Sequence, residues 1–182
     1  MNIFFDLEFT GLHQQTTLVS LGCVSQDGKQ FYAEATDYDR SQVSPWIKEN
    51  VISNLFLARD LGDLGHSSKT ISGLSFLGPR YEIAQAFREW IAGFGPVEFW
   101  GDCLAYDWVL FCELFEVVNE DTAERLPRNI FYIPFDICTL FKVKGIDPDI
   151  SREAFSGINT LSKHNALDDA RIIKACYEKL IK

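Results

Sequence analysis

The chain is expected to adopt an α/β fold, a mixed β-sheet with helices packed on its faces. Three observations predict this. The first third holds three β-rich runs separated by turn signals. The remainder alternates helical periodicity with short apolar runs. The composition, 47% hydrophobic and 14% aromatic over 182 residues, supplies a sizeable core and matches the length of a single domain spanning 1–182.

The elements follow in order. Residues 2–9 (NIFFDLEF) are rich in β-formers and end at Thr10-Gly11, which predicts a strand. A second strand is expected over 16–24. Asp27-Gly28 signals a hairpin turn into a third strand over 30–35. Ser44-Pro45 opens a helix over about 45–56, with Pro in the first turn. Residues 60–79 are rich in Gly and Ser, weakly periodic, and read as a long functional loop or lid. Helical periodicity spans 80–93, a short buried strand 97–100, a helix 104–118 and a strand 130–134. A short helix follows Asp136, and the final helix covers about 166–181.

Disorder is excluded by the apolar content. No run approaches the ~18 consecutive apolar residues of a membrane span. The N-terminal stretch MNIFFDLEF carries carboxylates where a secretory leader carries Lys or Arg. A cytoplasmic protein that does not engage membranes is expected. Cys23, Cys103, Cys112, Cys138 and Cys176 are odd in number, far apart and set in apolar sequence, with no C-x-x-C pair. They read as small buried hydrophobes in a reducing compartment.

The net charge is −9, unevenly spread. Residues 1–60 carry 4 basic and 8 acidic side chains, 61–120 carry 3 and 9, and 121–182 carry 10 and 9. A general basic surface for nucleic acid is therefore absent. A polyanionic ligand needs bound cations or local bases from the last third, of which Lys142, Lys144, Arg152 and Lys163 are the nearest candidates.

Several acids fall where burial makes them costly. Alternation along 2–9 puts Phe4, Asp6 and Glu8 on one face and Ile3, Phe5, Leu7 and Phe9 on the other. Two carboxylates side by side on a central strand repel unless a cation lies between them. The D-x-E spacing is weak alone, since 14 Asp and 12 Glu yield about one such pair by chance. Asp107 lies in line with the apolar stripe of Leu110, Phe111, Leu114, Val117 and Val118, whereas Asp102 is placed to cap that helix. On the last helix Asp169 shares the face of Ile172, Ile173, Cys176 and Leu180, while Asp168 aligns with Arg171 and Lys179 on a solvated face. His164 stands just before that helix, close to the inward acid. Four inward carboxylates and one His from three elements suit a hard cation, Mg²⁺ or Mn²⁺, and argue against zinc. Two such ions side by side serve in-line phosphoryl chemistry.

These residues together resemble the DEDDh family of 3′→5′ exonucleases, on a ribonuclease H-like fold. The first motif stands as FFDLEFTGL (4–12) with Asp6 and Glu8, the second as WGDCLAYDWVLFCELF (100–115) with Asp107, and the third as HNALDDAR (164–171) with His164 and Asp169 in the H-x4-D arrangement. The segment PWIKENVISNL (45–55) and the A-Y-D of the second motif are most similar to the compact mycobacterial and phage-type exoribonucleases. Phe9 departs from the Thr that many members carry, and 60–79 matches nothing in the pattern.

The resemblance implies a five-stranded mixed sheet flanked by helices. It implies two Mg²⁺ or Mn²⁺ ions held by Asp6, Glu8, Asp107 and Asp169, with Asp6 contributing to both ions and Asp107 assisting through water. His164 is then the expected general base. Single-stranded RNA or DNA would be shortened from its 3′ end, RNA favoured, releasing nucleoside 5′-monophosphates. Phe9, Thr10, Gly11, Leu12, Tyr106 and Trp108 are candidate substrate contacts. Many members are dimers, so a homodimer is expected. Two other readings remain open: a DNA-proofreading or repair exonuclease with the same chemistry, and a ribonuclease H-like nucleic-acid-binding module without catalysis.

Overall fold

The structure, a computed structural model, describes residues 1–57, 67–70, 73–115, 126–159 and 161–182. It is an α/β fold with a mixed sheet flanked by helices. Strands β1 (Asn2–Phe9), β2 (Leu18–Ser25) and β3 (Gln30–Ala35) form an antiparallel meander. Gly28 sits at the β2–β3 turn with φ 88°, a conformation that few side chains tolerate. Strand β5 (Gly73–Gly78) adds parallel to β3, and β4 (Ser67–Thr70) adds antiparallel to β5. On the other side β6 (Glu98–Gly101) runs parallel to β1, and the two-residue β7 (Phe135–Asp136) runs parallel to β6. The order is β4-β5-β3-β2-β1-β6-β7.

Among the described residues seven strands stand where five are expected. The extra pair comes from 60–79, expected as a long loop, where β4 and β5 extend the sheet beyond β3; residues 60–66 and 71–72 of that stretch lie outside the described residues. The sequence of β4, Ser-Ser-Lys-Thr, holds no apolar residue, and the apolar Leu74, Phe76 and Leu77 of β5 are too few and too closely set between glycines to stand out as a strand. The strand expected at 130–134 is a single bridge between Ile130 and Val97, and the ladder resumes only at Phe135–Asp136, just after Pro134. Proline lacks the N–H a ladder needs.

Helix α1 spans Pro45–Asn50, with the Ser44 hydroxyl accepting from the Ile47 N–H and a 3₁₀ turn continuing over Ile52–Asn54. Helix α2 spans Arg80–Ile91, and α3 spans Asp107–Glu113, three residues later than expected. Cys103 takes a left-handed φ of 57°, and the Ala105 N–H turns back to the Cys103 carbonyl, so a tight turn precedes the helix. The 116–118 part of the expected helix lies outside the described residues. Asp136 starts α4 (Ile137–Val143) by accepting from the Cys138 N–H at 2.7 Å. A further helix, α5 (Arg152–Ser156), was not foreseen. Its signals are short but present: Ser151 as N-cap and Gly157 in the left-handed conformation just past the end. Helix α6 spans Ala166–Leu180.

The sheet has apolar material on both faces. Ile3, Phe5 and Leu7 of β1 join Phe31, Phe99, Phe87 of α2 and Phe111 of α3 in one core. Phe4 joins Ile137 and Phe141 of α4 and Ile172, Ile173 and Cys176 of α6 in the other. Strand alternation thus sends β1 into two cores at once. Where α6 starts, it lies directly on β2. Gly22, paired with Asp6 in the ladder, would put a Cβ 2.2 Å from the Ala166 carbonyl oxygen. The missing side chain is what lets the first turn of α6 approach the strand. Gly22→Ala is therefore expected to lower the unfolding free energy by about 1–3 kcal/mol. Gly95→Ala, whose Cβ meets nothing within 4 Å, is the near-neutral control in the same urea titration.

Candidate metal centre

The site forms where β1 outruns β6. Parallel pairing between them covers only Asn2, Ile3 and Phe4, after which β6 ends at Gly101 and the chain turns into α3. The Leu7 N–H is left without a strand partner and donates instead to Asp107 Oδ1 at 3.0 Å. Asp107, 8% exposed, closes the open sheet edge from the first turn of α3. Asp6 and Glu8 point from the same strand toward α6. A register shift between Glu8 and Phe9 then re-aims the strand end.

From α6, Asp169 completes the group. One oxygen from each of Asp6, Glu8 and Asp169 lies within 4.8 Å of the others. Asp107 stands beside them and raises the proton affinity of both Asp6 and Glu8. Asp168 is a correction to the expected solvated face. It is 4% exposed, accepts from Arg171 Nη1 at 2.6 Å and takes the Ser162 N–H at 2.9 Å. A helical wheel cannot see that the loop before α6 folds over this side of the helix.

Burial dominates the electrostatics. It holds the Asp6 carboxyl well above the usual carboxylate range, with Asp107, Asp169 and Glu8 adding to the effect. Burial, then Asp169 and Asp107, pushes Glu8 up to about 8. Burial takes Asp107 to about 6 against the opposing Leu7 N–H bond. Burial and Glu153 take Asp169 to about 7, against the backbone N–H of His164 and the charge of Lys163. Four carboxylates sharing a desolvated space favour protons or cations. The donor set is all oxygen from carboxylates, which suits Mg²⁺ or Mn²⁺.

Two clefts meet at this point. The larger, about 770 Å³, is lined by the 6–13 segment, Trp46 and Ile47 of α1, Tyr106, Asp107, His164 and Asp169. The smaller, about 500 Å³, runs from Asp6, His164 and Asp169 along 148–153 to Lys163. His164 borders both, with φ 57° and its ring 5.1 Å from that of Trp46 at 74°. Burial and the neighbouring Lys163 lower its pKa, against Glu153.

Phe9 and Tyr106 stack on each other at 5.5 Å and line the larger cleft, and Leu12, 77% exposed, stands at its rim. Thr10 is buried, its hydroxyl engaged with Thr16, Thr17 and Gln42, and the Gly11 N–H donates to Thr16. Trp108 does not line the cleft. It packs against Phe5, Phe99 and Phe111 in the core, because one helical step beyond Asp107 points away from the opening. His13, Trp46 and Ile47 line the larger cleft unforeseen; the exposed aromatic one residue into a Ser-Pro helix start was their only signal.

A second acidic group, Asp102, Asp136 and Cys138, holds a cation already present in the chain. Arg152 Nε lies 2.7 Å from Asp102 Oδ2, and its Nη2 donates to Asp102 Oδ1 at 3.0 Å and to Cys138 Sγ at 3.1 Å. Asp102 is thus an ion-pair partner rather than a cap of α3, and Arg152 is not available to a distant anion. Lys163 stays at the rim of the smaller cleft, and Lys142 and Lys144 are exposed on and just after α4.

No family model matches the chain. It is 29% identical over 132 residues to 3′-5′ exoribonucleases from two strains of Mycobacterium tuberculosis, 71% of this chain and 71% of each relative. Among the described residues no helix is long and apolar enough to cross a membrane.

Two outcomes follow from the crowding of acids. Below about pH 4 the folded and unfolded chains are both protonated at Glu8. Between there and about 8 the unfolded chain has released a proton that the folded chain keeps. Stability in chelator is therefore expected to fall as pH rises across this window, with the full penalty above about 8. Glu8→Gln is expected to flatten that slope and to melt above the parent at pH 8, which scanning calorimetry in EDTA reads directly. Asp168→Asn, by contrast, is expected to cost about 1–2 kcal/mol through its Arg171 pair and to leave Mn²⁺ affinity by calorimetry unchanged.

Proposed function

We propose that the chain is a divalent-metal-dependent 3′→5′ exonuclease of the DEDDh type on a ribonuclease H-like fold. Its substrate is single-stranded nucleic acid, RNA favoured, and its products are nucleoside 5′-monophosphates. The observation that carries this reading is the meeting of Asp6, Glu8 and Asp169, with Asp107 and His164 beside them, at the junction of two clefts. The names of the mycobacterial relatives support the polarity and favour RNA over DNA. The absence of disulfides at the five cysteines fits a reducing, cytoplasmic setting, and a homodimer is the assembly we expect.

Asp6, Glu8 and Asp169, with Asp107 through water, would hold two Mg²⁺ or Mn²⁺ ions. When bound, these would stabilise charge on the scissile phosphate and acidify the attacking water. The chain's own residues do the rest. The larger cleft takes the terminal nucleoside, with the Phe9–Tyr106 stack, Leu12 and Trp46 offering apolar surface to base and sugar. His164, kept neutral at cytoplasmic pH by its burial, accepts the proton of the attacking water. Its place on both cleft borders suits a proton acceptor at the edge of the carboxylate group.

Matched 5′-labelled RNA and DNA oligomers, with Mg²⁺ and with chelator, test this. A ladder shortening from the 3′ end, faster on RNA and lost in chelator, is expected. Internal cleavage, or no shortening by folded protein, overturns the reading. Asp6→Asn is expected to fall to background. His164→Ala is expected to lose ~10²-fold or more in turnover while keeping metal affinity, and the acid limb of its pH profile is expected to flatten.

A further inference from the structure

His164 holds an unusual backbone. A left-handed conformation in a residue with a side chain persists only where its surroundings enforce it. Both of its neighbours are pinned from below. The Lys163 carbonyl accepts from Asn54 Nδ2 at 2.8 Å. The Asn165 side chain, 0% exposed, works in two directions. Its Oδ1 caps α6 by accepting from the Leu167 and Asp168 N–H groups. Its Nδ2 donates to the Asn54 carbonyl at 2.8 Å and to the Tyr32 hydroxyl at 3.2 Å.

The chain of bonds continues into the sheet. The Tyr32 hydroxyl donates to Glu34 Oε1 at 2.7 Å, and the same oxygen takes the N–H groups of Phe56 and Leu57. Glu34 is a buried carboxylate on β3, in register with Glu8 two strands away through Ser20, and it fixes both Tyr32 and the segment that follows Asn54. Above this network, the Asn165 carbonyl accepts the Asp169 N–H at 2.9 Å, and the His164 N–H faces the Asp169 carboxylate. Anything that moves Asn165 therefore moves His164 and Asp169 together.

We propose that Asn165 is a positioning residue, anchored through Tyr32 and Glu34 to β3, which sets His164 and Asp169 in register with each other. It touches no reacting atom and acts through its two neighbours. For turnover the inference rests on the exonuclease reading above; for geometry it stands on the network alone. Its bonds divide cleanly between helix cap and sheet tether, so the two roles can be separated. Asn165→Asp keeps the cap acceptor, which an Asp supplies as well as an Asn. It replaces the Nδ2 donor with an oxygen set against the Asn54 carbonyl. Tyr32→Phe leaves the cap untouched and removes the hydroxyl that joins Glu34 to Asn165.

The experiment is amide hydrogen exchange and steady-state kinetics on both variants of the full chain. The expected result is a folded protein whose exchange quickens by ~10-fold or more at His164 and Asp169, with the central strands unchanged. The kcat is expected to fall ~10–10²-fold, as misplacement by a fraction of an ångström to an ångström does, with KM within about twofold. Unchanged exchange at these two amides overturns the proposal. So does quickened exchange with wild-type kcat. So does a uniform loss of protection across the sheet, which marks a purely structural role. If Asn165→Asp does not fold, Tyr32→Phe is read by the same criteria. An inactive parent enzyme defeats the exonuclease reading instead, and the exchange comparison still decides the placement.

Discussion

Asp6, Glu8, Asp107 and Asp169 repel one another in a place where water screens them poorly, and the remainder of the molecule is arranged to tolerate it. Each carboxylate loses hydration on burial, and each raises the proton affinity of at least one neighbour or has its own raised. Two backbone N–H groups, those of Leu7 and His164, offset part of the cost. The larger offset comes from elsewhere. The rings of Phe5, Phe87, Phe99 and Phe111 pack edge-to-face and tilted within about 5.0–6.4 Å on one side of the sheet. Such rings bury large apolar areas and fix one another's geometry. A rigid sheet is what keeps like charges from relaxing apart.

Strand β1 carries both halves of this balance. Its first residues feed two cores, and its last residues feed the clefts, the alternation holding through Glu8 before the register shifts at Phe9. The transition happens where β6 ends. A ladder that stops on one side of a continuing strand leaves unpaired N–H groups, and here Asp107 meets one of them. Gly22 on the opposite side makes room for α6. The acids are thus brought together by an interrupted ladder on one flank of β1 and a missing Cβ on the other.

Much of this was legible in the sequence. Period-2 alternation placed Asp6 and Glu8 on one face, and period-3.6 patterning aimed Asp107 and Asp169 inward, because both depend only on local geometry. What escaped were properties of the tertiary setting. Asp168 reads as solvated on a helical wheel, yet the preceding loop covers it. Trp108 follows the aromatic pattern of a binding surface, yet faces the core. Asp102 has the composition of a cap, yet its partner Arg152 lies far along the chain. Strand β4 holds no apolar residue, β5 offers only a short apolar run between glycines, and a two-residue strand such as β7 leaves no periodic trace. The comparison with known proteins covers 71% of the chain at 29% identity, so it bears on the activity more than on these details.

The ion pair between Asp102 and Arg152 also joins segments that the chain makes at different times. Asp102 follows β6, Cys138 opens α4, and Arg152 opens α5. Until Arg152 has been synthesised, Asp102 and Cys138 lack their guanidinium, and Asp6 and Glu8 still lack Asp169 and His164. During translation the growing polypeptide therefore carries only part of the carboxylate group, which cannot close. Closure waits for α6, the last described element to leave the ribosome. A carboxylate group assembled in this order cannot gather around a cation until α6 has docked on the sheet.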